Sequence, residues 1–305
     1  PQPIDWSPDD RHIAVGGSDY AVHLFDVERL ADGEPARLLH GHEAPPFRVA
    51  FSTDGTHVAS IADDRTARIW AVDGDAAPLV LRGHDAILSN VAWSPGDRHL
   101  LTTDDDGFAR VWELRADVDG ALELVGAPAV LEAAKPGFTH AAFSPTGREL
   151  LIASLNGGGI SLHRVSGDEA PRQFPLDAVT GAVAFSPDGR WIAAGTQDAL
   201  VRLWTTDGEH GPFTLTGHGA PVQGLAFSPD SRELIASGLS SVPVIWEIDF
   251  EIEVDPLRAR LHEATTSCLS VADRERLLAE SREEAERAHD DCERAFGRGG
   301  GGIID

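Results

Sequence analysis

Apolar and polar residues alternate along this chain in short bursts. Gly, Asp, Pro and Ser separate one burst from the next. That is the pattern of half-buried β-strands joined by tight turns. One stretch shows the full cycle. Asn90-Val91-Ala92-Trp93 alternates toward a turn at Pro95-Gly96-Asp97, and Leu100-Leu101-Thr102-Thr103 is an apolar run ending in Asp104-Asp105-Asp106-Gly107. Phe108-Ala109-Arg110-Val111-Trp112 alternates again, and Ala129-Val130-Leu131 adds a further extended stretch. The pattern predicts four short strands in about 42 residues.

The cycle recurs. An aromatic followed by Ser, usually Pro and then a turn appears at Trp6-Ser7-Pro8, Phe51-Ser52-Thr53, Trp93-Ser94-Pro95, Phe143-Ser144-Pro145, Phe185-Ser186-Pro187 and Phe227-Ser228-Pro229. The aromatics are spaced by 45, 42, 50, 42 and 42 residues. A regular period with two local expansions is what one supersecondary unit with tolerant loops produces. A single four-stranded sheet cannot bury both faces, whereas stacked copies can. The longest period contains the loop Arg115 to Leu124, read as an acidic insertion at a sheet's outer edge.

These residues resemble the WD40 repeat family. Gly-His dipeptides stand at Gly41-His42, Gly83-His84 and Gly217-His218, and Trp70, Trp112, Trp204 and Trp246 close the third strand of their units, with Phe25 and His163 in the equivalent slots. The likeness covers residues 4 to about 250. It implies an all-β propeller with six visible four-stranded blades, either a six-bladed ring or part of a seven-bladed one. It also implies a hydrogen-bonded tetrad of His, Ser or Thr, Asp and Trp within a blade. His42, Ser60, Asp64 and Trp70 fit that pattern, as do His84, Thr102, Asp106 and Trp112. In each tetrad the aspartate is expected to accept from the histidine, and the histidine to donate onward to the hydroxyl. The fourth and sixth blades depart from the pattern, with Gly157 and Ser240 at the turn aspartate's place, and are expected to be softer.

From Leu257 the spacing turns helical. Ser270 to Asp273 and Ser281 to Glu284 read as capping boxes opening two helices. The expected organisation is a propeller over 1–255, a helical extension over 256–298 and a Gly-rich tail over 299–305. Leu257 to Arg298 loosely resembles the C-terminal extension of WD40 domains in large bacterial signalling proteins with STAND NTPase, kinase or protease effectors. Cys268 and Cys292 lie in this stretch; a disulfide between them would pin two helices, while reducing conditions favour two buried thiols.

Composition narrows the function. Lys plus Arg number 25 against 50 Asp plus Glu, a formal charge of −25 over 305 residues. Such acidity repels phosphate backbones and anionic lipid, so neither nucleic acid nor membrane is an expected partner. No apolar run approaches the roughly 20 residues needed to span a bilayer, and no signal peptide opens the chain; a cytoplasmic location is expected. There is no methionine, even at position 1, and Lys135 is the only lysine. The first fact suggests a piece of a larger protein with a seventh blade upstream. The second, with abundant Ala, Gly, Pro and Asp, suggests a bacterial source.

Nothing in the sequence carries catalysis. No His pair stands beside carboxylates at metal-ligand spacing. Asp104-Asp105-Asp106-Gly107 lacks the alternate-position spacing of a calcium loop. Gly157-Gly158-Gly159 lacks the Lys-Ser/Thr and helix of a phosphate cradle. No cofactor is expected. What remains is recognition by the loops before each innermost strand and the turns bearing the tetrad aspartates. The candidate face combines apolar Phe47, Ile87, Leu88 and Phe138 with acidic Glu43, Asp63, Asp85 and Asp105, and with Gln197. Apolar anchors inside a charged rim suit a protein or peptide partner with basic residues.

Overall fold

The computed structural model describes residues 4–30, 32–117, 120–132, 139–154, 159–238, 242–248, 282 and 286–287. Almost all regular structure is antiparallel strand. The first sheet holds β1 (Ile4–Trp6), β2 (His12–Gly16), β3 (Ala21–Asp26) and β4 (Arg37–His40). The second holds β5 (Pro46–Phe51), β6 (His57–Ala62), β7 (Ala67–Ala71) and β8 (Leu79–Leu81). The third is formed by β9 (Leu88–Trp93), β10 (His99–Asp104), β11 (Phe108–Ala116), β12 (Leu122–Leu124) and β13 (Ala129–Glu132). Next come β14 (Thr139–Phe143), β15 (Glu149–Ser154), β16 (Ile160–Arg164) and β17 (Arg172–Phe174), then β18 (Thr180–Phe185), β19 (Trp191–Thr196), β20 (Val201–Thr205) and β21 (Phe213–Leu215). The sixth sheet shows three strands, β22 (Val222–Phe227), β23 (Glu233–Gly238) and β24 (Val244–Glu247). One four-residue helix, α1 (Val27–Leu30), follows β3, and Asp26 Oδ1 accepts the Glu28 and Arg29 amides at 3.0 and 3.3 Å.

The repeated serine explains the first turn of every sheet. Its Oγ accepts the amide that starts the second strand, from His12, His57, His99, Glu149, Trp191 and Glu233, at 2.8 to 3.1 Å. In four sheets the hydroxyl also donates to an aspartate two residues on, as Ser52 does to Asp54 at 2.7 Å. The residue three past the serine takes a left-handed φ each time, at Asp10, Gly55, Asp97, Gly147, Gly189 and Ser231. Gly, Asp and Ser tolerate that conformation where bulkier residues do not.

First strands of successive sheets pack on one another, β1 on β5, β5 on β9, β9 on β14, β14 on β18 and β18 on β22, and no outer strand crosses between sheets to the same extent. The sheets therefore fan out from a shared inner edge, a propeller arrangement. Hydrophobic clusters fill the wedges between neighbours. Leu24, Val49, Val58 and Trp70 fill the first wedge, and Ile61, Leu81, Leu88, Leu100 and Trp112 the second. Further clusters fill the third and fourth wedges, around Leu101 and Ile152, and around Leu151 and Ile192. Among the described residues no comparable packing joins the sixth sheet to the first. Ile4 and Trp6 on β1 stay 49% exposed, and Ile235 and Ile245 on the sixth sheet are exposed as well.

One expectation changes. The insertion after Trp112 is not a plain loop. Strand β11 runs nine residues, pairs with β13 through its first half and with β12 through its last three residues. Leu122-Glu123-Leu124 is an alternation too short to stand out in the sequence. The chain divides after Ile248 into units Pro1–Ile248 and Asp249–Asp305. The expected outer strand Phe250 to Val254, both cysteines and the tail helices lie outside the described residues, except Arg282, Glu286 and Arg287. These three are helical, and Arg282 Nε donates to Glu286 Oε1 at 3.0 Å.

Candidate interaction face

The loops entering the first strands and the turns between second and third strands share one end of the sheets. Two polar networks build that end. In the second sheet His42 Nδ1 lies 2.8 Å from Asp64 Oδ2, His42 Nε2 lies 2.8 Å from Ser60 Oγ, and Trp70 Nε1 donates to Ser60 Oγ at 2.8 Å. Asp64 also accepts the Glu43 amide and both the amide and hydroxyl of Thr66. Burial alone would push the Asp64 pKa up, but these donors and the histidine bring it below the ordinary value.

Burial also lowers the pKa of His42 and His84, against the upward pull of their aspartates. Each ring is therefore neutral near pH 7, with Nδ1–H directed at its carboxylate. A neutral ring with its proton on Nδ1 can only accept at Nε2. The serine or threonine hydroxyl donates there and takes the indole N–H in return. Donation runs from tryptophan through hydroxyl and imidazole to carboxylate, which reverses the middle step expected above.

The third sheet repeats the network with one change of residue. His84 Nε2 lies 2.6 Å from Thr102 Oγ1, and Trp112 Nε1 donates to Thr102 Oγ1 at 2.8 Å. The carboxylate at His84 Nδ1 is Asp104, at 2.6 Å, and not Asp106. Asp104 ends β10, two residues past Thr102 and on the same face of the strand, while Asp106 is exposed in the turn. Arg110 adds an ion pair to Asp104 at 3.2 Å.

Elsewhere the network thins. Asp19 meets His23 in the first sheet and Asp198 meets Arg202 in the fifth. His163 Nε2 meets Ser161 Oγ at 2.8 Å, and His218 Nδ1 donates to the Ala220 carbonyl.

Above the networks lies the rim. Glu43, Asp63, Asp85, Asp105 and Gln197 are exposed, and Arg65 Nη1 donates to the Asp85 carbonyl across two sheets at 3.2 Å. Asp105 has a raised pKa, from partial burial and then from the charges of Asp104, Asp106 and Asp63. Carboxylates from two sheets thus crowd one spot. The apolar half of the candidate set separates. Ile87 is 44% exposed, whereas Leu88 is 1% exposed and sits inside the second wedge, because alternation along β9 turns it inward. Leu88 is therefore core and not rim. Phe47 is half-buried against the same cluster, and Phe138 lies outside the described residues.

Two other features escaped the sequence. At the opposite end a cleft of about 710 Å³ opens between the third and fourth sheets, lined among others by Arg98, Arg148, Arg164, Glu113 and Glu169. Its wall includes Val125 and Ala127, which the insertion supplies. The innermost strands also carry a polar tier of half-buried Arg48 and His140 and buried Asn90. Each stands three residues before the repeated aromatic, a register the repeat alignment displays but does not interpret. Among the described residues one metal-competent group appears, exposed Asp207 and Glu209 with His210, whose ligand atoms lie within 4.8 Å of one another.

Comparison with known proteins places this architecture. The family pattern "WD domain, G-beta repeat" matches residues 4–26, 33–71, 78–113, 177–205 and 212–247, more than half of the chain. Residues 114–176, with the insertion and the fourth sheet, fall between matches. Protein HIR1 of Yarrowia lipolytica is 34% identical over 87 residues, 23% of this chain and 8% of that protein. The SAGA complex/transcription factor TFIID complex subunit Taf5 of Schizosaccharomyces pombe is 31% identical over 78 residues, 21% of this chain and 12% of that protein. The chain thus spans a small part of these relatives. A chain from the crystal structure of a mitotic checkpoint complex superposes with a TM-score of 0.64 at 18% identity, covering 80% of this chain and 73% of that one.

Proposed function

Because the chain belongs to the WD domain, G-beta repeat family, we propose that it is a non-catalytic protein-interaction module whose tetrad-end rim holds a partner bearing basic residues. The crowding of Asp63 and Asp105 carries this reading. Their like charges sit together without a neutralising cation close enough to lower the pKa of Asp105, and a basic segment relieves that repulsion. Ile87 supplies an apolar contact within the same rim. The relatives named for membership of SAGA, TFIID and checkpoint complexes agree with an assembly role.

The test is charge reversal. Partners captured by the chain are compared with those captured by the Asp63→Lys/Asp105→Lys double variant, by mass spectrometry. Partners enriched in basic segments should be lost, and capture by the parent should weaken as salt rises. An unchanged partner list sinks the rim reading.

The finer setting is also a proposal. The arginine bias and the tail's likeness support the C-terminal part of a larger cytoplasmic bacterial signalling or defence protein, in which another domain does the chemistry. A reading frame that begins a few residues before Pro1 would overturn this and favour a free-standing scaffold for separate chains.

A further inference from the structure

The inner wall carries a charge that no carboxylate among the described residues pairs with. Three residues before the repeated aromatic, the second, third and fourth sheets place Arg48, Asn90 and His140, while the fifth and sixth place Ala182 and Gly224. The polar tier is thus confined to one arc of the wall. Arg48 Nη1 donates to Asn90 Oδ1 across the first wedge of that arc, and Asn90 Nδ2 donates to the Ala141 carbonyl at 3.2 Å across the next. These two bonds fix which end of the Asn90 amide faces which sheet. His140 stands close enough to feel the charge of Arg48. Burial first, and that charge second, bring its pKa down to about 4, so its ring is neutral.

Arg48 is half-buried, and burial is the sole cause acting on its pKa. Among the described residues no carboxylate lies within ion-pair distance of it. A guanidinium has five N–H donors and does not give up its proton in proteins. Half-burying such a cation with only a neutral amide beside it carries a cost that cannot be escaped by neutralisation. The arc is also lopsided in hydrogen bonding. It offers spare guanidinium donors and the second amide N–H of Asn90, and its amide oxygen is already taken. A planar two-oxygen anion matches a guanidinium edge.

We propose that Arg48 and Asn90, on this arc, receive the carboxylate of an acidic residue from a protein partner docked on the rim. This rests on the interaction-module reading and adds to it. Arg48 lies two residues in from Pro46, about 7 Å below the rim end of β5. A partner segment with an acidic residue among basic ones would set its cations against Glu43 and Asp85 and its carboxylate against Arg48.

The test uses the full 305-residue chain with 15N-labelled arginine and asparagine side chains, titrated with acetate, inorganic phosphate and chloride at constant ionic strength. The Arg48 Nε–H resonance is identified by its loss in Arg48→Gln. Acetate should shift it saturably, with a Kd of ~10 mM for a single carboxylate, and should shift the Asn90 amide with the same midpoint. In Arg48→Lys, which keeps the charge, the Asn90 shift should persist with weaker affinity because the two-pronged match is gone. No saturable shift at tenfold that concentration overturns the proposal, as does saturation by phosphate without acetate. The rim reading can fail separately. If acetate binding stands while partner capture is indifferent to Asp63→Lys/Asp105→Lys, the wall site survives and the rim does not. If capture collapses while acetate never binds, the reverse holds.

Discussion

Asp104 and Asp106 sit two positions apart in a run of three aspartates, and burial alone separates them. Asp104 accepts from His84, from Arg110 and from the Phe108 amide, whereas Asp106 is exposed. Asp104→Asn should cost about 2–3 kcal/mol, because it leaves charged and neutral donors poorly matched in a buried site. Asp106→Asn should stay within about 0.5 kcal/mol. Urea unfolding of the two variants reads the difference, and equal effects would show that His84 is not fixed as described. Protonation is argued at the same scale. A histidine whose folded pKa is lowered binds protons more readily when unfolded. Its contribution is therefore full above the unfolded value of 6.5 and drains away as pH falls toward the folded value. For His140 that window runs from 6.5 to about 4 and is worth roughly 3 kcal/mol. His42 and His84 drain in the same direction, and Asp64, lowered from 3.8, adds its loss only at lower pH. Urea midpoints should fall steadily between pH 7 and 4, and His140→Gln should flatten part of that slope. The second-sheet tetrad was legible in sequence: Gly-His and Trp frame the turn, and of the adjacent Asp63 and Asp64 the family spacing selects Asp64, which is the one that meets His42. The third was not, because three adjacent aspartates offer equivalent spacing and only strand facing selects among them. The direction of proton donation was hidden too, since it follows from how deeply the imidazoles are buried.

At the scale of the element, the aromatic-Ser-Pro repeat located every sheet, yet its spacing said nothing of why serine recurs. The reason is local. The hydroxyl holds the amide that starts the second strand, and a left-handed residue completes the turn. Strand β12 was missed because three residues carry too little alternation to be told from a loop. Leu88 was misplaced by one position of strand phase, which moves a side chain from rim to core. Close packing between elements is equally silent in sequence. A Cβ on Gly181 would lie 2.0 Å from the Val222 carbonyl oxygen, and one on Gly195 2.2 Å from Val222 Cγ1. Both glycines let the fifth sheet approach the sixth. Gly181→Ala should cost about 1–3 kcal/mol through forced separation of β18 and β22. Gly96→Ala meets no atom and costs only about 1 kcal/mol for its left-handed φ. Melting temperatures should rank them in that order, and the reverse order would deny tight apposition of the two sheets.

For the whole molecule, the decisive fact is that packing follows chain order. Each sheet is built from one continuous stretch, and substantial contact runs only between consecutive sheets. Among the described residues the second to fifth sheets have a neighbour on both faces, while the first and sixth have one on a single face. Amide exchange should therefore be slowest in β6, β10 and β15 and faster in β2 and β23. Uniform protection across all six sheets would contradict serial stacking. The family and the all-β class were readable from residues 4 to 250 because periodicity survives local degeneracy. The uncovered faces of the end sheets were not, since an alternating strand looks the same whether its apolar side is covered or bare.

That serial order has a mechanical consequence. Among the described residues no strand crosses from one sheet to another to act as a clasp, so a load applied between residues 4 and 248 meets six bonded units in series. The end sheets, supported on one side, should yield first. Each detachment frees a repeat of about 42 residues, which lengthens the chain by roughly 14 nm at 3.3–3.6 Å per residue. The force trace of a single molecule should show a staircase of near-equal steps, with a longer one where the forked third sheet lets go.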